Sequence, residues 1–436
     1  MHFSSRQLPY LRNTGALLDK LSQFDGLVAL ESSNSEHENG RWSIIAACPI
    51  ETISIHRPCE IEGAIESLEK IASKLPNIDS SLPFTGGIIG HTSYDLGIPG
   101  LGKSTTHYYP NQPLLIAGLY TWAFVFDHIN KQCILVYLNH PEALPITRLI
   151  DLYSVQELST PHKQFTLEGS FQPSWSKRTY QEKIHKIHEY ILKGDCYQVN
   201  LAQRFSAKFS GDSIAAYKKI KEFAEVPFAC FFQWGEFSFA SASPEMFLSY
   251  EAGKVTTKPI KGTLPKLNNR TANKQQIDRL KNSKKDLAEN LMIVDLLRND
   301  LSKQAEHVRV EKLFDIETYP TVHHLVSTIT GKIKPQNILR LFFDAFPGGS
   351  ITGAPKKRAM EIISELEEAP RSFYCGSSFY LSSNDKFNSN ILIRSFLFED
   401  NIVTCWAGGG IVHDSEWKKE HQESLDKISK LMNSLY

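Results

Sequence analysis

Two hydrophobic periodicities alternate along this chain of 436 residues. Apolar residues recur at helical spacing in residues 61–75, 176–193, 285–301 and 416–435. The stretches between them are short and either alternate polar with apolar residues or are mostly apolar, as strands do; they are residues 26–31, 42–47, 114–127, 132–138, 196–205, 229–232, 236–240, 246–251, 321–328, 376–382 and 391–397. Because strands outnumber helices and often follow one another directly, the pattern predicts an α+β fold with large antiparallel β-sheets.

Two of the helical segments carry more specific signals. Ser176 is a suitable N-cap for the helix that begins there. The helix at residues 285–301 is expected to pack through Leu287, Leu291, Val294 and Leu297. Its Glu289 then points away from that apolar stripe.

One segment between the two halves of the chain lacks both periodicities. Residues 159–173 are polar and contain two prolines, which is typical of a linker. We therefore predict an N-terminal region of residues 1–158, a linker of residues 159–173 and a C-terminal region of residues 174–436.

The composition excludes several classes of protein. Lys plus Arg and Asp plus Glu are 48 each, so no overall charge draws the chain to nucleic acid or to an anionic membrane. The N-terminus does not resemble a signal peptide, and no apolar run is long enough to span a membrane. The seven cysteines are scattered without a C-x-x-C pair, which favours reduced thiols in a cytoplasmic protein and gives no support to a structural zinc site.

Lys261 lies in an unusual local sequence, between Pro259 and Pro265 and directly before Gly262. The prolines restrict φ and the glycine permits a turn, so we expect Lys261 at a rigid bend. An ordinary surface lysine after a strand is the plain alternative. A nucleophilic lysine would need burial or a neighbouring positive charge, because at a pKa of about 10.4 only about one in a few thousand is neutral at pH 7.

Charged residues also follow helical spacing near the C-terminus. Glu420, Glu423 and Lys427 lie on one face of the predicted helix, away from its apolar stripe. A solvated face with simple Glu–Lys pairing explains this pattern by itself. Upstream, the triplet Gly408, Gly409 and Gly410 could bring backbone N–H groups close to an anion, although a glycine triplet alone is a weak signal.

Several motifs taken together resemble the chorismate-utilising enzymes, which include anthranilate, isochorismate, salicylate and aminodeoxychorismate synthases. They are Ser-Pro-Glu-Met-Phe at 243–247, Pro-Ile-Lys-Gly-Thr at 259–263, the segment 286–300, Pro-Gly-Gly-Ser-Ile-Thr-Gly-Ala-Pro-Lys at 347–356 and Ala-Gly-Gly-Gly-Ile at 407–411. The resemblance covers nearly the whole chain and is densest between residues 194 and 427. A lysine in the middle of Pro-Ile-Lys-Gly-Thr resembles the aminodeoxychorismate synthase branch, since anthranilate synthases carry alanine there.

The resemblance implies a sandwich of two sheets with helices outside, and a reaction of chorismate with ammonia that yields 4-amino-4-deoxychorismate for para-aminobenzoate and folate synthesis. Lys261 would add to C2 of chorismate, and Glu245 would donate and accept the proton. Mg²⁺ would be held by Glu289 and Glu423, with Glu420 as a further candidate. Substrate contacts are implied for Arg394, Gly408, Gly409, Gly410, Lys427, His324, Tyr374 and Thr263. A lone histidine in a strand, such as His324, is equally explained as a core residue.

The resemblance also bears on partners. The chain has no cysteine in a G-x-C-x-G setting, so ammonia would come from solution or from a separate glutaminase subunit. Relatives form a small indole pocket that holds tryptophan; the matching positions are Leu30, Glu31, Ser32, Arg41 and Trp42. An ordinary hairpin with a serine-rich loop explains these residues equally well.

Two positions depart from the family pattern, Phe379 where glycine is usual and Asn388 where aspartate is usual. The phenylalanine would reshape a pocket wall, and the asparagine removes a charge. Two alternatives therefore stay open: an anthranilate or isochorismate synthase, which Lys261 disfavours, and a non-catalytic subunit that binds chorismate or tryptophan. Retention of Lys261 and Glu245 together with the acidic helix residues argues against the latter.

Overall fold

The computed structural model describes residues 1–32, 40–97, 112–154, 163–224, 226–319 and 322–436. Within these ranges the chain forms ten α-helices and 22 strands, and the strands make two large antiparallel sheets. The predicted α+β class is therefore confirmed.

The first sheet has twelve strands. They are β1 (Phe3–Leu8), β2 (Leu27–Glu31), β3 (Trp42–Ala46), β7 (Trp122–Asp127), β8 (Gln132–Leu138), β9 (Thr166–Pro173), β10 (Gln198–Ser210), β11 (Phe228–Trp234), β12 (Phe237–Ser243), β18 (Gly353–Ala354), β21 (Ser395–Glu399) and β22 (Ile402–Ile411). Their spatial order is β1-β8-β7-β3-β2-β11-β12-β21-β22-β10-β18, and β9 pairs with one end of β10.

The second sheet has ten strands. They are β4 (Glu51–Ile55), β5 (Gly87–Thr92), β6 (Leu115–Tyr120), β13 (Met246–Glu251), β14 (Lys254–Thr257), β15 (Ile260–Pro265), β16 (Glu306–Thr318), β17 (Val322–Lys332), β19 (Ser377–Ser382) and β20 (Phe387–Asn390). Their order is β15-β17-β14-β13-β20-β19-β5-β6-β4, and β16 also pairs with β17.

The helices are α1 (Gly15–Leu21), α2 (Ile61–Ser73), α3 (Ile146–Ser154), α4 (Lys177–Leu192), α5 (Ser213–Ala224), α6 (Arg270–Lys281), α7 (Lys284–Leu301), α8 (Ile338–Ala345), α9 (Lys356–Leu366) and α10 (Trp417–Asn433). The predicted cap is confirmed, because the Ser176 hydroxyl accepts a hydrogen bond from the backbone N–H of Thr179 at 3.1 Å.

The core divides into two layers. One layer combines apolar side chains from both sheets, for example Phe232 and Phe239 from the first and Ile88, Leu248 and Ile329 from the second. The other joins the first sheet to α1, α3, α5 and α10. The two sheets therefore pack as a sandwich, as expected.

Both sheets contain strands from each side of the predicted linker. β2 pairs with β11, and β5 pairs with β19. Residues 159–162 lie outside the described residues, whereas Thr166–Pro173 form strand β9. The division into two regions stays a prediction, but half of the proposed linker belongs to a sheet.

The buried face of α7 differs from the predicted stripe. Leu291 is 52 % exposed, whereas Asn290 is fully buried next to Ile293, Val294 and Leu297. Asn290 belongs to the core because its side-chain oxygen accepts a hydrogen bond from the Ser327 hydroxyl at 2.5 Å. Because a polar residue occupies a core position, the buried face of α7 differs from the face that hydrophobicity alone predicts.

Phe379 fills a space left by a glycine on the neighbouring strand. It lies opposite Gly90, where an added Cβ would come within 2.5 Å of the Phe379 ring. The ring is fully buried against Phe342 and Phe387. The unusual phenylalanine is thus accommodated in the core between β5 and α8.

Across the described parts of the chain, none of the helices has the length and apolar character needed to cross a membrane. All seven cysteines lie in those parts and are free thiols; five are buried, and Cys59 is exposed.

Candidate active site

Lys261 lies on strand β15 and not at the bend that we expected. Lys261 is opposite Leu325 and Thr263 is opposite His324, with a register shift between the two pairs. Gly262 forms the bulge with φ of +72°, and a Cβ there would meet the Asp286 side chain at 3.0 Å. The bulge therefore requires glycine and fixes the direction of the Lys261 side chain.

The Lys261 amine lies among charged groups from three other parts of the chain. Burial lowers its pKa, and the charges of Glu289 and Glu245 oppose that effect. The nearby Lys427 lowers the pKa further. The Lys261 Nζ donates to the backbone carbonyl oxygen of Ser350 at 3.4 Å. The site thus provides the desolvation that a nucleophilic lysine needs.

Glu245 is buried in the short connection between β12 and β13. Its backbone is fixed on both sides, because its N–H donates to the Ser243 hydroxyl and its carbonyl accepts from the N–H of Ile391. Burial raises the pKa of the carboxyl group, opposed by a hydrogen bond from Ser350 and by the charge of Lys261. Such a carboxyl group can hold a proton for transfer.

Arg394 occupies a break in what we expected to be one strand at 391–397. It precedes β21 with φ of +53°, a left-handed conformation that is uncommon outside glycine. Burial lowers its pKa, and the charge of Glu245 opposes this. Within the described residues its guanidinium makes no hydrogen bond or ion pair, so its donors are available to an anion.

Helices α7 and α10 bring three glutamates to one place. The Lys285 amine lies 3.9 Å from Glu289 Oε1 and 3.6 Å from Glu420 Oε1. Burial raises the pKa of Glu289. Burial also acts to raise the pKa of Glu423, but Lys427, 2.9 Å away, together with Lys285 and Lys261 lowers it overall. The predicted metal candidates thus share one charged cluster.

The glycine triplet on β22 faces this cluster. Lys427 Nζ donates to the carbonyl of Gly408 at 3.1 Å. A Cβ at Gly409 would lie 3.5 Å from Lys427 Nζ and 3.6 Å from Glu420 Oε2. The missing side chain at Gly409 therefore leaves open space between an ammonium and a carboxylate.

The remaining predicted contacts are Thr263, His324 and Tyr374. The Thr263 hydroxyl and His324 Nδ1 are 2.7 Å apart, on neighbouring strands beside Lys261. Tyr374 stacks on Trp406, with ring centroids 5.7 Å apart and planes 5° apart, two residues before the glycine triplet. The neighbouring Cys375 thiol is close enough to Glu245 to interact with its charge.

Comparison with known proteins agrees with this arrangement. Residues 28–433 match the model of the family described as chorismate binding enzyme. The chain belongs to this family. It is 38 % identical to aminodeoxychorismate synthase component 1 of Escherichia coli (strain K12), over 95 % of this chain and 94 % of that protein.

Other relatives match this chain over most of their own length. Anthranilate synthase component 1 of Lactococcus lactis subsp. lactis (strain IL1403) is 30 % identical over 93 % of both chains. The crystal structure of anthranilate synthase component I from Streptococcus pneumoniae TIGR4 superposes with a TM-score of 0.76 at 27 % identity, covering 90 % of this chain and 92 % of that one. As a member of the chorismate-binding family, the chain is a chorismate-utilising enzyme.

The acidic cluster of this chorismate-binding enzyme fits a divalent cation. Glu289 Oε1 is buried without a hydrogen-bond partner. The Lys285 ammonium group lies within 4 Å of the carboxylates of Glu289 and Glu420, so a positive charge is already present beside them. In the described part of the chain, no three acidic, histidine or cysteine side chains converge as a complete ligand set. Substrate oxygens and water would therefore complete the coordination of Mg²⁺, as is usual for this ion.

The predicted tryptophan positions lie apart from this cluster. Leu30, Glu31 and Trp42 line a cavity of about 300 Å³ between the two sheets, together with Tyr380 and Asn388. Arg41 does not line it, since its guanidinium pairs with Asp127 at 2.6 Å. The backbone N–H of Ser32 donates to Ser43, and residues 33–39 lie outside the described residues.

Two residues of the site were absent from the sequence prediction. Lys285 could have been identified, because it stands four residues before Glu289 on a predicted helix. Ser350 lies in a motif that we recognised, but no spacing rule indicates that its hydroxyl and carbonyl face Glu245 and Lys261.

Proposed function

We propose that this chain converts chorismate and ammonia to 4-amino-4-deoxychorismate, a step toward para-aminobenzoate and folate, and that a separate glutaminase subunit supplies the ammonia. The observation that carries the proposal is the Lys261 amine, which is desolvated beside the buried Glu245. The Escherichia coli relative bears the name of this synthase, and its designation as component 1 supports a second subunit.

In the first step, the neutral Lys261 amine forms a bond to C2 of chorismate. The two conjugated ring double bonds shift from C1=C2 and C5=C6 to C1=C6 and C4=C5, the C4–oxygen bond breaks, and Glu245 donates its proton so that the hydroxyl group leaves as water. The alkylated ammonium of Lys261 then returns a proton to Glu245. The result is a covalent adduct equal to chorismate minus water.

In the second step, ammonia forms a bond to C4, both double bonds shift back to C1=C2 and C5=C6, and the C2–Lys261 bond breaks. Glu245 protonates the departing amine and then takes a proton from the new C4 ammonium. The enzyme regains its starting protonation state, and the sum is chorismate plus ammonia giving 4-amino-4-deoxychorismate plus water.

The charges around the site suit a dianionic substrate when a divalent cation is included. Lys261, Lys285, Lys427 and Arg394 face the carboxylates of Glu245, Glu289, Glu420 and Glu423, so these eight groups sum to zero. Mg²⁺ held by Glu289 and Glu423, beside Glu420, would neutralise a substrate carboxylate. Arg394, Lys427 and the N–H groups of the glycine triplet would orient the substrate, with Tyr374 and the Thr263–His324 pair as the adjoining walls.

We also propose that the cavity at Leu30 and Trp42 takes up tryptophan, either as a regulator or as a fixed structural component. Its volume suits an indole ring, and its lining combines apolar and aromatic side chains such as Leu30 and Tyr380 with polar ones such as Glu31 and Asn388. Equilibrium dialysis of the purified chain with tryptophan tests this. Binding that Trp42→Ala abolishes is expected, and absence of binding contradicts the proposal.

Product analysis distinguishes the alternatives. The purified chain is incubated with chorismate and MgCl₂, with either ammonium chloride or glutamine, and products are separated by liquid chromatography and mass spectrometry. We expect 4-amino-4-deoxychorismate with ammonium and none with glutamine alone. Anthranilate or isochorismate as the main product would identify a different synthase, and unchanged chorismate would support a non-catalytic subunit.

A further inference from the structure

The ammonium group of Lys285 lies at the acidic cluster that α7 and α10 form. Lys285 stands in the first turn of α7, four residues before Glu289. Its Nζ is 3.9 Å from Glu289 Oε1 on its own helix and 3.6 Å from Glu420 Oε1 on α10. One ammonium is therefore shared by carboxylates from both helices, and these carboxylates belong to the cluster proposed to hold Mg²⁺.

Neither of the two contacts is as short as a hydrogen bond. Such bonds have donor–acceptor distances of about 2.7–3.2 Å, and a partly buried pair elsewhere in the chain, Lys221 with Glu31, is closed at 2.9 Å. The distances from Lys285 exceed that range. Within the described part of the chain, Glu289 Oε1 is buried without a hydrogen-bond partner. Lys285 therefore brings charge to the cluster but leaves this oxygen free to bind another cation.

The carboxylate of Glu420 is fixed by a group other than Lys285. The Ser415 hydroxyl donates to Glu420 Oε1 at 2.7 Å and accepts from the backbone N–H of Val412 at 3.1 Å, directly after β22. The Glu420 side chain is 6 % exposed, whereas that of Lys285 is 53 % exposed. Because a lysine has a flexible four-carbon stem, the ammonium can move away while the carboxylate stays in place.

The surrounding charges attract a cation to this position. Burial acts to lower the pKa of the Lys285 amine. The charges of Glu420, Glu289 and Glu423 outweigh burial and raise the pKa overall. Mg²⁺ held by the same carboxylates would carry twice the charge of the ammonium, and two cations beside the same oxygens repel each other. The ammonium and the metal ion therefore compete for the cluster.

We propose that Lys285 is a resident counter-ion of the acidic cluster, which neutralises the glutamates before Mg²⁺ binds and is displaced when Mg²⁺ binds. The inference rests on the proposed function for the metal site, but not on the identity of the product. Lys285 would thereby weaken Mg²⁺ binding while it stabilises the metal-free chain. An ordinary surface pair between residues four apart predicts neither effect on Mg²⁺ nor on its own displacement.

The first experiment compares Mg²⁺ binding by wild type, Lys285→Met, Lys285→Arg and Lys284→Met. MgCl₂ is titrated into each purified chain by calorimetry, and melting temperatures are recorded with and without MgCl₂ and chorismate. Lys285→Met should bind Mg²⁺ about ten-fold more tightly, melt below the wild type without MgCl₂ and gain more from adding it. Lys285→Arg keeps the charge and should resemble the wild type. Lys284→Met, a matched control, removes an exposed charge one residue earlier and should also resemble the wild type.

The second experiment follows the amine itself in the wild-type chain. Trace acetylation with acetic anhydride, followed by mass spectrometry of the peptides, reports how much of each lysine is neutral and accessible. MgCl₂ should raise the acetylation rate of Lys285 severalfold, because the amine leaves the carboxylates that raise its pKa. The rate at Lys284 should not change.

An Mg²⁺ affinity of Lys285→Met equal to or below that of the wild type overturns the proposal, as does an acetylation rate of Lys285 that MgCl₂ leaves unchanged or lowers. The metal site itself still stands in that case if the wild type binds Mg²⁺ and Glu423→Gln does not. If the wild type binds no Mg²⁺, with or without chorismate, the metal site and this proposal are both wrong. Formation of another chorismate product contradicts the proposed function alone.

Discussion

Burial acts on Lys261 and Glu245 in opposite directions, because it disfavours the charged form of each. The pKa of the amine is lowered and the pKa of the carboxyl group is raised, so the two values approach each other. The proposed first step needs a neutral amine and a protonated carboxyl group at once. Each pKa unit by which the gap narrows raises the fraction of that form about ten-fold.

We expect a bell-shaped pH dependence of kcat/KM. Activity should rise with pH until the carboxyl pKa is passed, stay level, and fall above the amine pKa. Relative to unperturbed groups, the rising limb should lie at higher pH and the falling limb at lower pH. Glu245→Gln should abolish the rising limb along with most activity. Limbs at the positions of unperturbed glutamate and lysine would contradict the assignment.

Lys261→Ala should lose 4-amino-4-deoxychorismate formation by roughly 10³-fold in kcat while KM changes little, since the lost step is covalent. Wild-type enzyme incubated with chorismate and Mg²⁺ but no ammonia should carry an adduct of chorismate minus water on the peptide that contains Lys261. Lys258→Ala is a matched control, because Lys258 lies on the same stretch but pairs with Glu317. Product formation by Lys261→Ala at the wild-type rate, without an adduct in the wild type, would refute nucleophilic catalysis.

For individual residues, the sequence identified the reacting groups better than it predicted the residues that surround them. The motifs around Lys261 and Glu245 pointed to two groups that the fold does bring together. The role of Ser350 could not be recognised, because its backbone carbonyl is contacted by Lys261, which lies 89 residues earlier in the chain. Hydrophobic periodicity carries no information about such contacts.

Among the secondary-structure elements, α7 and α10 supply the acidic cluster. Glu423 forms an ion pair with Lys427 on α10, and Glu289 forms one with Lys285 on α7. We expect Glu423→Gln to raise the Mg²⁺ concentration needed for half-maximal activity at least ten-fold, or to abolish activity, because a neutral amide is a weaker ligand. Glu416→Gln, on the exposed start of the same helix, should leave the requirement unchanged. A wild-type Mg²⁺ response in Glu423→Gln would exclude that residue as a ligand.

The elements also show where a periodic pattern misleads. The stripe of α7 was misplaced because Asn290 is buried through its bond to Ser327. The expected strand at 391–397 is interrupted at Arg394 by a left-handed residue, a conformation that sequence rarely reveals for arginine. The expected bend at Lys261 is a strand, since pairing with β17 overrides the local preference of the flanking prolines.

For the whole molecule, each sheet depends on both ends of the chain. β9, inside the predicted linker, pairs with β10 from Phe205 to Ser210. A fragment of residues 163–436 should therefore be more stable than one of residues 174–436, and fragment 1–158 should not fold alone. Co-expression of 1–158 with 163–436 should give a folded complex, detected by size-exclusion chromatography and circular dichroism. Cooperative unfolding of isolated 1–158 would show that the N-terminal region is an independent domain.

The same strand order determines what the ribosome exposes during synthesis. The apolar strand β2 leaves the ribosome early, yet its partner β11 follows roughly 200 residues later, a delay of about 10–40 s at elongation rates of about 5–20 residues per second. The wait of β5 for β19 is longer still. During that time β2 and β5, which are buried in the folded protein, each have one edge without a partner strand. Another chain can form hydrogen bonds with such an edge. Slower translation should therefore increase aggregation of this enzyme, and chaperones that cover strand edges should increase its yield more than added chorismate does.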